Sequence, residues 1–349
     1  MISNLEEKDI NAIVKNTKNI SKFFSGKRVV ITGGNGFLGK YFTQTIDTFN
    51  YKYKKNIKLT NVDNFITSKN NFFKSIRSKN IKFLKADAGK KINIKSKVDF
   101  IIHAAGIASP FYYRAKPLET LDVAVNGLRN ILEIAKNKKS KVLFFSSSEI
   151  YGDPDIREIP IKETYRGYVN TMGPRACYDE GKRLGETLCY IYNKKYKLHT
   201  NIVRPFNIYG PGMQEKDYRV LPNFASLIKK NKSIKIYGSG KQTRTFCYIT
   251  DAINGFFKIL IKGRSGEAYN IGNPKPEISM TDLHRISEKI LNKKIKMQKI
   301  NYPKTYPADE PRRRCPSIDK AKLHLNYVPK IDLNEGLKSF YEWTEKNYK

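Results

Sequence analysis

Thr32-Gly33-Gly34-Asn35-Gly36-Phe37-Leu38-Gly39 follows directly on the run Arg28-Val29-Val30-Ile31. The apolar, β-branched run reads as a buried strand, and a helix is predicted from about Phe37. Gly33, Gly36 and Gly39 fall at GxxGxxG spacing across the strand-to-helix turn. Glycines there permit a tight turn and close approach of the backbone to a pyrophosphate. The helix start presents free N–H groups and a positive dipole end to the phosphates. The next predicted strand, residues 57–62, runs into Asp63 in NVDNF. A carboxylate at that place accepts both hydroxyls of a ribose and repels a 2′-phosphate.

The pattern therefore predicts a site for NAD rather than NADP. Its candidate residues are Gly33, Gly36, Phe37, Leu38, Gly39, Asp63 and Asn64, with Ala104 after the fourth strand. Asp87 in KADA follows the third strand and either touches the adenine amine or caps a helix.

Outward from this turn, further strands are predicted at 81–85, 100–103, 141–146 and 200–204. Between them residues 118–135 carry Leu118, Leu121, Val125, Leu128 and Leu132 on one helical face. Strands alternating with helices imply the α/β class, a parallel sheet with helices on both faces. Upstream, Leu5, Ile10, Ile13, Ile20, Phe23 and Phe24 stand among charges, which predicts a short amphipathic helix over 5–24. Beyond Asn207 the punctuation changes to loops: NIYGPGM, IYGSGKQ and IGNPKPE. Residues 279–349 read as small helices around a PADEPRRRCP loop. The expected organisation is an N-terminal extension (1–25), a dinucleotide-binding domain (26–206, with a return segment at about 241–272), and a substrate lobe (207–240 and 273–349). Such a lobe would lie over the carboxyl edge of the sheet, where open α/β sheets bind ligands.

Composition narrows the partners. Lys and Arg number 66 against 32 Asp and Glu, a formal charge of +34. The lysines are spread along the chain, with no basic block interleaved with aromatics, so no nucleic-acid partner is expected. A positive field still favours capture of a multiply negative substrate. The four cysteines, Cys177, Cys189, Cys247 and Cys315, form no CxxC pair and only four His occur, so neither a metal site nor a disulfide framework is expected. MISNLEEKDI is acidic and lacks the apolar run of a signal peptide. No stretch approaches the roughly 18 apolar residues of a membrane span. A cytoplasmic location is the expectation.

Tyr178 and Lys182 form a YxxxK pair in the helical run CYDEGKRLGETL. One turn separates them, so they share a face. The lysine is expected to lower the tyrosine pKa, and the phenolate can then take a proton from a hydroxyl as hydride leaves the same carbon. The strand at 141–146 leads into Ser147-Ser148-Glu149, where a hydroxyl can share the hydrogen bond to the reacting oxygen. A surface tyrosine beside a solvated lysine is the bland reading. Glycine turn, acid, serine-ended strand and YxxxK in this order point instead to a redox-active site.

SSSEIYGDPD, GPRACYDEGKRLGETLCYIY, RPFNIYGPGM, YRVLPNF, IYGSGKQTRTFCYITD and EPRRRCPSIDKAK carry a resemblance over about residues 26–349. The chain resembles the extended short-chain dehydrogenases/reductases (the NAD-dependent epimerase/dehydratase family), and within them most the UDP-glucuronate decarboxylases. The resemblance implies a Rossmann-type doubly wound sheet with a smaller C-terminal substrate-binding lobe, NAD as cofactor and a UDP-sugar as substrate. It also implies a homodimer through a four-helix bundle made by residues 118–135 and 178–192. By resemblance Tyr178 and Lys182 are the catalytic pair, Ser147 binds the sugar 4-hydroxyl, and Glu149 lies near sugar carbon 5. Asn207 and Arg244 are placed at the substrate phosphates, Arg219 among the substrate-binding residues, and Tyr237 packs the base. Arg314 meets the phosphates or the departing carboxylate. Ser148 stands where the related 4,6-dehydratases carry an aspartate that protonates a leaving hydroxyl. Serine is a poor acid at neutral pH, which favours decarboxylation. A 4-epimerase or a 4,6-dehydratase is the alternative, and a non-catalytic NAD-binding regulator the lesser one. The stretch HAAGIASPFYYRAKPLETLDVAVNG and Met172 depart from the pattern. Tyr112, Tyr113 and Arg114 either face the sugar or serve packing or a dimer surface.

Overall fold

The computed structural model describes residues 2–68, 72–302 and 311–349. Residues 307–310, the first part of the predicted PADEPRRRCP loop, lie outside the described residues.

Six strands appear where the β-branched and aromatic runs stand: β1 Arg28–Thr32, β2 Lys58–Asp63, β3 Ile81–Lys85, β4 Phe100–His103, β5 Lys141–Phe145 and β6 Thr200–Pro205. With Ala268–Ile271 they make one parallel sheet in the order (Ala268–Ile271)-β6-β5-β4-β1-β2-β3. Successive side chains of a strand face opposite sides. Accordingly Val29 and Ile31 enter one core, and Val30 enters the other. The first core is covered by the helices Phe37–Tyr53 and Ile249–Lys262, the second by Leu128–Lys138 and Ala176–Tyr196. This is the doubly wound arrangement expected. The strand order reverses between β1 and β4, which places a crevice at their carboxyl ends. Among the described residues, no helix is long and apolar enough to cross a membrane. All four cysteines are free thiols.

Two helical expectations need correction. Residues 118–135 are not one helix with one apolar face. Pro117–Asp122 leads into a π-helical turn, Val123–Gly127, and then into Leu128–Lys138. A π-turn inserts a residue and rotates the stripe. Leu128 and Leu132 are buried while Leu118 is 73% exposed. At the start of that turn the Val123 carbonyl meets His103 Nε2 at 3.2 Å. Burial pushes His103 down to about 3, so its ring is neutral. Nε2 must then donate to that carbonyl, and Nδ1 accepts from the Thr32 hydroxyl at 2.8 Å. Residues 5–24 are likewise three pieces, Asn4–Asn16, Lys18–Ser21 and a 3-10 turn Lys22–Phe24.

The N-terminal helix is built into the main core. A capping box between Ser3 and Glu6 starts it, and Ile10, Ile13 and Val14 join the first core. Glu6 pairs with Lys40 in the helix after the glycine turn. Asp9 accepts from Tyr248 Oη at 2.9 and 3.1 Å and from Tyr41 Oη at 3.2 Å. Tyr41 Oη also reaches the Pro211 carbonyl at 2.9 Å. One buried carboxylate thus ties three distant segments together.

Burial pushes Asp9 up to about 7, against the pull of the two tyrosines. The unfolded chain holds a proton on this group only below about 4. Between those values the native state binds the extra proton, so this group's contribution is full below about pH 4 and is lost as pH rises through about 7. Asp9→Asn removes that slope. Urea unfolding at pH 5.5 and pH 8 is expected to show the variant losing on the order of 2 kcal/mol less than wild type over this interval. Equal losses in the two proteins would refute the assignment.

Candidate functional site

The crevice at the switch point holds two cavities that share Gly33, Gly36, Ala104 and Gly106. The glycine turn forms their common wall. Gly33 has φ +70°, and a Cβ on it would lie 2.7 Å from the Ala105 backbone. Gly39 sits so close beneath the turn that a Cβ would lie 2.2 Å from the Gly33 carbonyl oxygen. Phe37, Leu38 and Gly39, in the first turn of their helix, line the first cavity. N–H groups there have no intrahelical partner.

The second cavity is lined by Asp63, Asn64, Asp87 and Ala104. Asp63 is held by backbone donors, Oδ2 from Asn35 N at 2.9 Å and Oδ1 from Phe65 N at 2.8 Å. Ser68 Oγ also donates to Oδ1 at 3.4 Å, while Oδ2 keeps a further lone pair. Asp87 caps no helix; it closes a turn by accepting from Gly89 N at 2.9 Å. The residues fit a dinucleotide: a phosphate cradle at the helix start, and an acid at the far end suited to a ribose diol. A Cβ on Gly36 would meet protein only at the Gly33 carbonyl, 3.3 Å away, and Gly36 lines both cavities. The space a bound group needs is there.

The first cavity is lined by Ser147, Ser148, Glu149, Tyr178, Lys182, Asn207 and Arg219. Ser147–Glu149 leave the end of β5 and enter a 3-10 turn, where Ser147 Oγ accepts from Glu149 N at 3.2 Å. Tyr178 and Lys182 stand on one face of Ala176–Tyr196, with Lys182 Nζ 5.7 Å from the Tyr178 ring centroid. Lys182 donates to the Phe145 carbonyl at 2.7 Å.

The expected effect of Lys182 on the phenol needs correction. Burial is the largest influence on Tyr178 and pushes it up to about 12. The groups that pull it down are the Ser147 hydroxyl and Arg219, while Glu149 and Asp179 push it up. Burial also brings Lys182 down to about 8.

Behind Ser148 lies a cluster of buried charge. Arg314 grips Glu149 with both terminal nitrogens, Nη2 to Oε2 at 2.7 Å and Nη1 to Oε1. Arg175 donates to the same Oε2 through Nη2. Burial alone would raise Glu149, yet Arg314, Arg175 and Arg244 together hold it below the usual carboxylate range.

Arg244 and Arg314 belong to paired short strands, Thr243–Arg244 and Arg313–Arg314, and do not line either cavity. Neither does Tyr237, which stacks on Tyr302 with centroids 5.6 Å apart. Arg219 lines the first cavity and is tied to Asp217, Nη2 to Oδ2 at 2.8 Å. Asn207, at φ +42°, donates to the Thr245 carbonyl at 2.8 Å. Tyr112 lines the first cavity, whereas Tyr113 stacks on Tyr178 at 5.2 Å and Arg114 Nε folds back to the Pro110 carbonyl. Arg175 and Asp179 were not singled out from sequence. Their i,i+4 spacing astride Tyr178 was the available signal.

A sequence model described as the NAD dependent epimerase/dehydratase family matches residues 29–272. UDP-glucuronic acid decarboxylase 5 of Arabidopsis thaliana is 38% identical over 320 residues, 91% of this chain and 89% of that protein. UDP-glucuronic acid decarboxylase 1 of Xenopus tropicalis is 37% identical over 321 residues, 92% of this chain and 72% of the relative. In fold, the chain is similar to UDP-glucuronic acid 4-epimerase of Bacillus cereus, crystallised with UDP-glucuronic acid and NAD. The TM-score is 0.78 at 24% identity, covering 92% of this chain and all of the other. On its sequence match, with the glycine turn, Asp63 and the Tyr178/Lys182 face around one crevice, the chain belongs to the NAD dependent epimerase/dehydratase family.

Proposed function

We propose that this chain converts UDP-glucuronate to UDP-xylose and carbon dioxide, using NAD that is regenerated in each turnover. The observation that carries the reading is the wall Ser147-Ser148-Glu149 beside Tyr178. Glu149 is kept ionised by arginines, and position 148 offers only a hydroxyl. Position 148 therefore presents no acid suited to expelling a 6-hydroxyl, so dehydration is disfavoured. The likeness to the decarboxylases over nine-tenths of the chain supports the same choice.

Gly33, Gly36 and Gly39 with the start of their helix hold the pyrophosphate, and Asp63 takes the adenosine ribose. NAD bound there would supply a hydride acceptor and later donor for sugar carbon 4. Tyr178 takes the proton from the 4-hydroxyl oxygen. Ser147 donates a hydrogen bond to that oxygen. The resulting ketone is β to the carboxylate, so the electrons of the breaking carbon–carbon bond pass to the ketone oxygen. Ser147 and Tyr178 stabilise the enolate there. Carbon 5 then gains a proton from water, and Tyr178 returns its own proton to the oxygen at carbon 4. Arg314, which lines neither cavity while paired with Glu149, receives the sugar's carboxylate as that pair loosens. Asn207 and Arg244 serve the phosphates, Tyr237 the base and Arg219 the bound substrate, in a lobe formed by residues 207–240 and 273–349. The protein acts in the cytoplasm as a homodimer. Leu118, Leu121, Leu184 and Ile191, all exposed on adjacent helices, form the face that pairs.

Mass spectrometry on the purified chain with NAD and UDP-glucuronate, UDP-glucose, dTDP-glucose or GDP-mannose tests this. Loss of carbon dioxide from UDP-glucuronate without accumulation of NADH is the expected result. An isomer of unchanged mass would replace the reading by 4-epimerisation, and loss of water by dehydration.

A further inference from the structure

Arg314 is asked to do two things. In the structure its guanidinium fork is taken up by Glu149, both terminal nitrogens on the two carboxylate oxygens. In the proposed reaction the sugar brings a second carboxylate to Arg314. Glu149 holds the edge of the guanidinium that carries both terminal nitrogens, so a sugar carboxylate that takes that edge loosens Glu149 from Arg314. A buried carboxylate released from its only cation would be costly to keep charged. Glu149 has a second cation. Arg175 Nη2 bonds Oε2, and the Arg175 side chain is only 5% exposed. Arg175 is not free to follow Arg314. It sits at the start of the Ala176–Tyr196 helix, and its Nε faces Asp179 Oδ2 at 3.4 Å. Asp179 is itself buried, with Oδ1 making no hydrogen bond. Burial and the nearby Glu149 charge raise its pKa. Arg175 thus spans Glu149 on β5's exit turn and Asp179, the neighbour of Tyr178.

Resting on the decarboxylase reading, we propose that Arg175 is a positioning residue: it holds Glu149 in place beside Tyr178 when the sugar's carboxylate takes Arg314. Asp179 anchors Arg175 from the helix side. The charged and titratable groups that bear on Glu149 are Arg314 and Arg244 from the paired short strands, Arg175, Tyr178 and Asp179 from the Tyr178 helix segment, and Arg219 across the cavity.

The test is a double-mutant cycle on the full chain with NAD, using Arg175→Lys, Glu149→Gln and both together. Lysine keeps the charge but cannot bridge two carboxylates as a planar fork does. Arg175→Lys is expected to lower kcat about 10- to 100-fold, the effect of losing a charged hydrogen bond. KM for UDP-glucuronate should stay within about threefold, since the proposed sugar contacts are intact. Without its bridge Glu149 is protonated more easily, so the acid limb of kcat should move to higher pH. In the Glu149→Gln background, Arg175→Lys should add no further loss, because it acts only through Glu149. Losses that multiply, a change in KM alone, or an unmoved acid limb would each overturn the proposal. Failure of the decarboxylase reading appears separately, as no carbon dioxide from wild type. The cycle is then run on whichever nucleotide sugar does turn over, or on urea midpoints of the same four proteins if none does. Additivity there overturns the Arg175 assignment by itself.

Discussion

Tyr178→Phe is expected to lower kcat by about a thousandfold, within the range for loss of a general acid–base group, and to leave the fold in place. The ring is buried and stacks on Tyr113 with an interplanar angle of 14°, and phenylalanine preserves both. Only the hydroxyl is removed, and with it the hydrogen bond to Ser147. Sugar and NAD affinity should stay within about threefold, because the phenol's contribution is spent at the reacting oxygen. The pH profile separates this role from packing. Burial holds the phenol above its ordinary value before NAD binds, so base strength is available only as that proton is drawn off, and the rate should climb with pH. The residual rate of the variant should lack that climb. Product formation by mass spectrometry, with a melting curve for each protein, gives the answer. A variant that keeps more than about a tenth of wild-type turnover would remove Tyr178 from the acid–base role.

That prediction joins one feature readable in the sequence to one that was not. The one-turn spacing of Tyr178 and Lys182 is local, and a helix reproduces it wherever it packs. The titration of both groups is set by what the helix is pressed against, and burial is the largest influence on each. The same division runs through the fold. The ends of β1, β3 and β4 agree with the sequence reading because β-branched runs stop at glycine or polar punctuation. The π-turn at Val123–Gly127 was not legible locally: the partner of its first carbonyl, His103, lies twenty residues away in sequence. The tie between Glu149 and Arg314 spans 165 residues. Resemblance placed both residues near the sugar, but nothing local to either says that they hold each other. Asp9 is the extreme case: a charged residue on an amphipathic helix reads as solvated, yet it lies beneath Tyr41 and Tyr248, 32 and 239 residues away. Tyr237 shows the converse, since a motif match located it without indicating that its ring is stacked on Tyr302.

Two glycines of the turn are expected to respond differently to one added methyl group. At Gly39 the Cβ would lie 2.2 Å from the Gly33 carbonyl oxygen, 2.6 Å from Gly34 Cα and 2.9 Å from the Gly34 carbonyl carbon. All three are backbone atoms of the turn, so no side chain can yield. Alanine is the better helix former by about 1 kcal/mol, but overpacking of this kind costs about 1–3 kcal/mol or more. The turn itself must move. Gly39→Ala should therefore lower Tm and weaken NAD binding about tenfold to a hundredfold together. At Gly36, with φ −67°, the backbone suits any residue, and the added Cβ meets protein only at 3.3 Å. It points instead into the space shared by the two cavities. Gly36→Ala should keep a Tm close to wild type and still weaken NAD, because the methyl occupies the place a pyrophosphate needs. Calorimetric titration with NAD beside thermal melts separates the two. Wild-type NAD affinity in Gly39→Ala would mean that the turn's shape does not rest on that contact. Equal losses of Tm at both positions would mean that Gly36 serves the fold rather than the ligand.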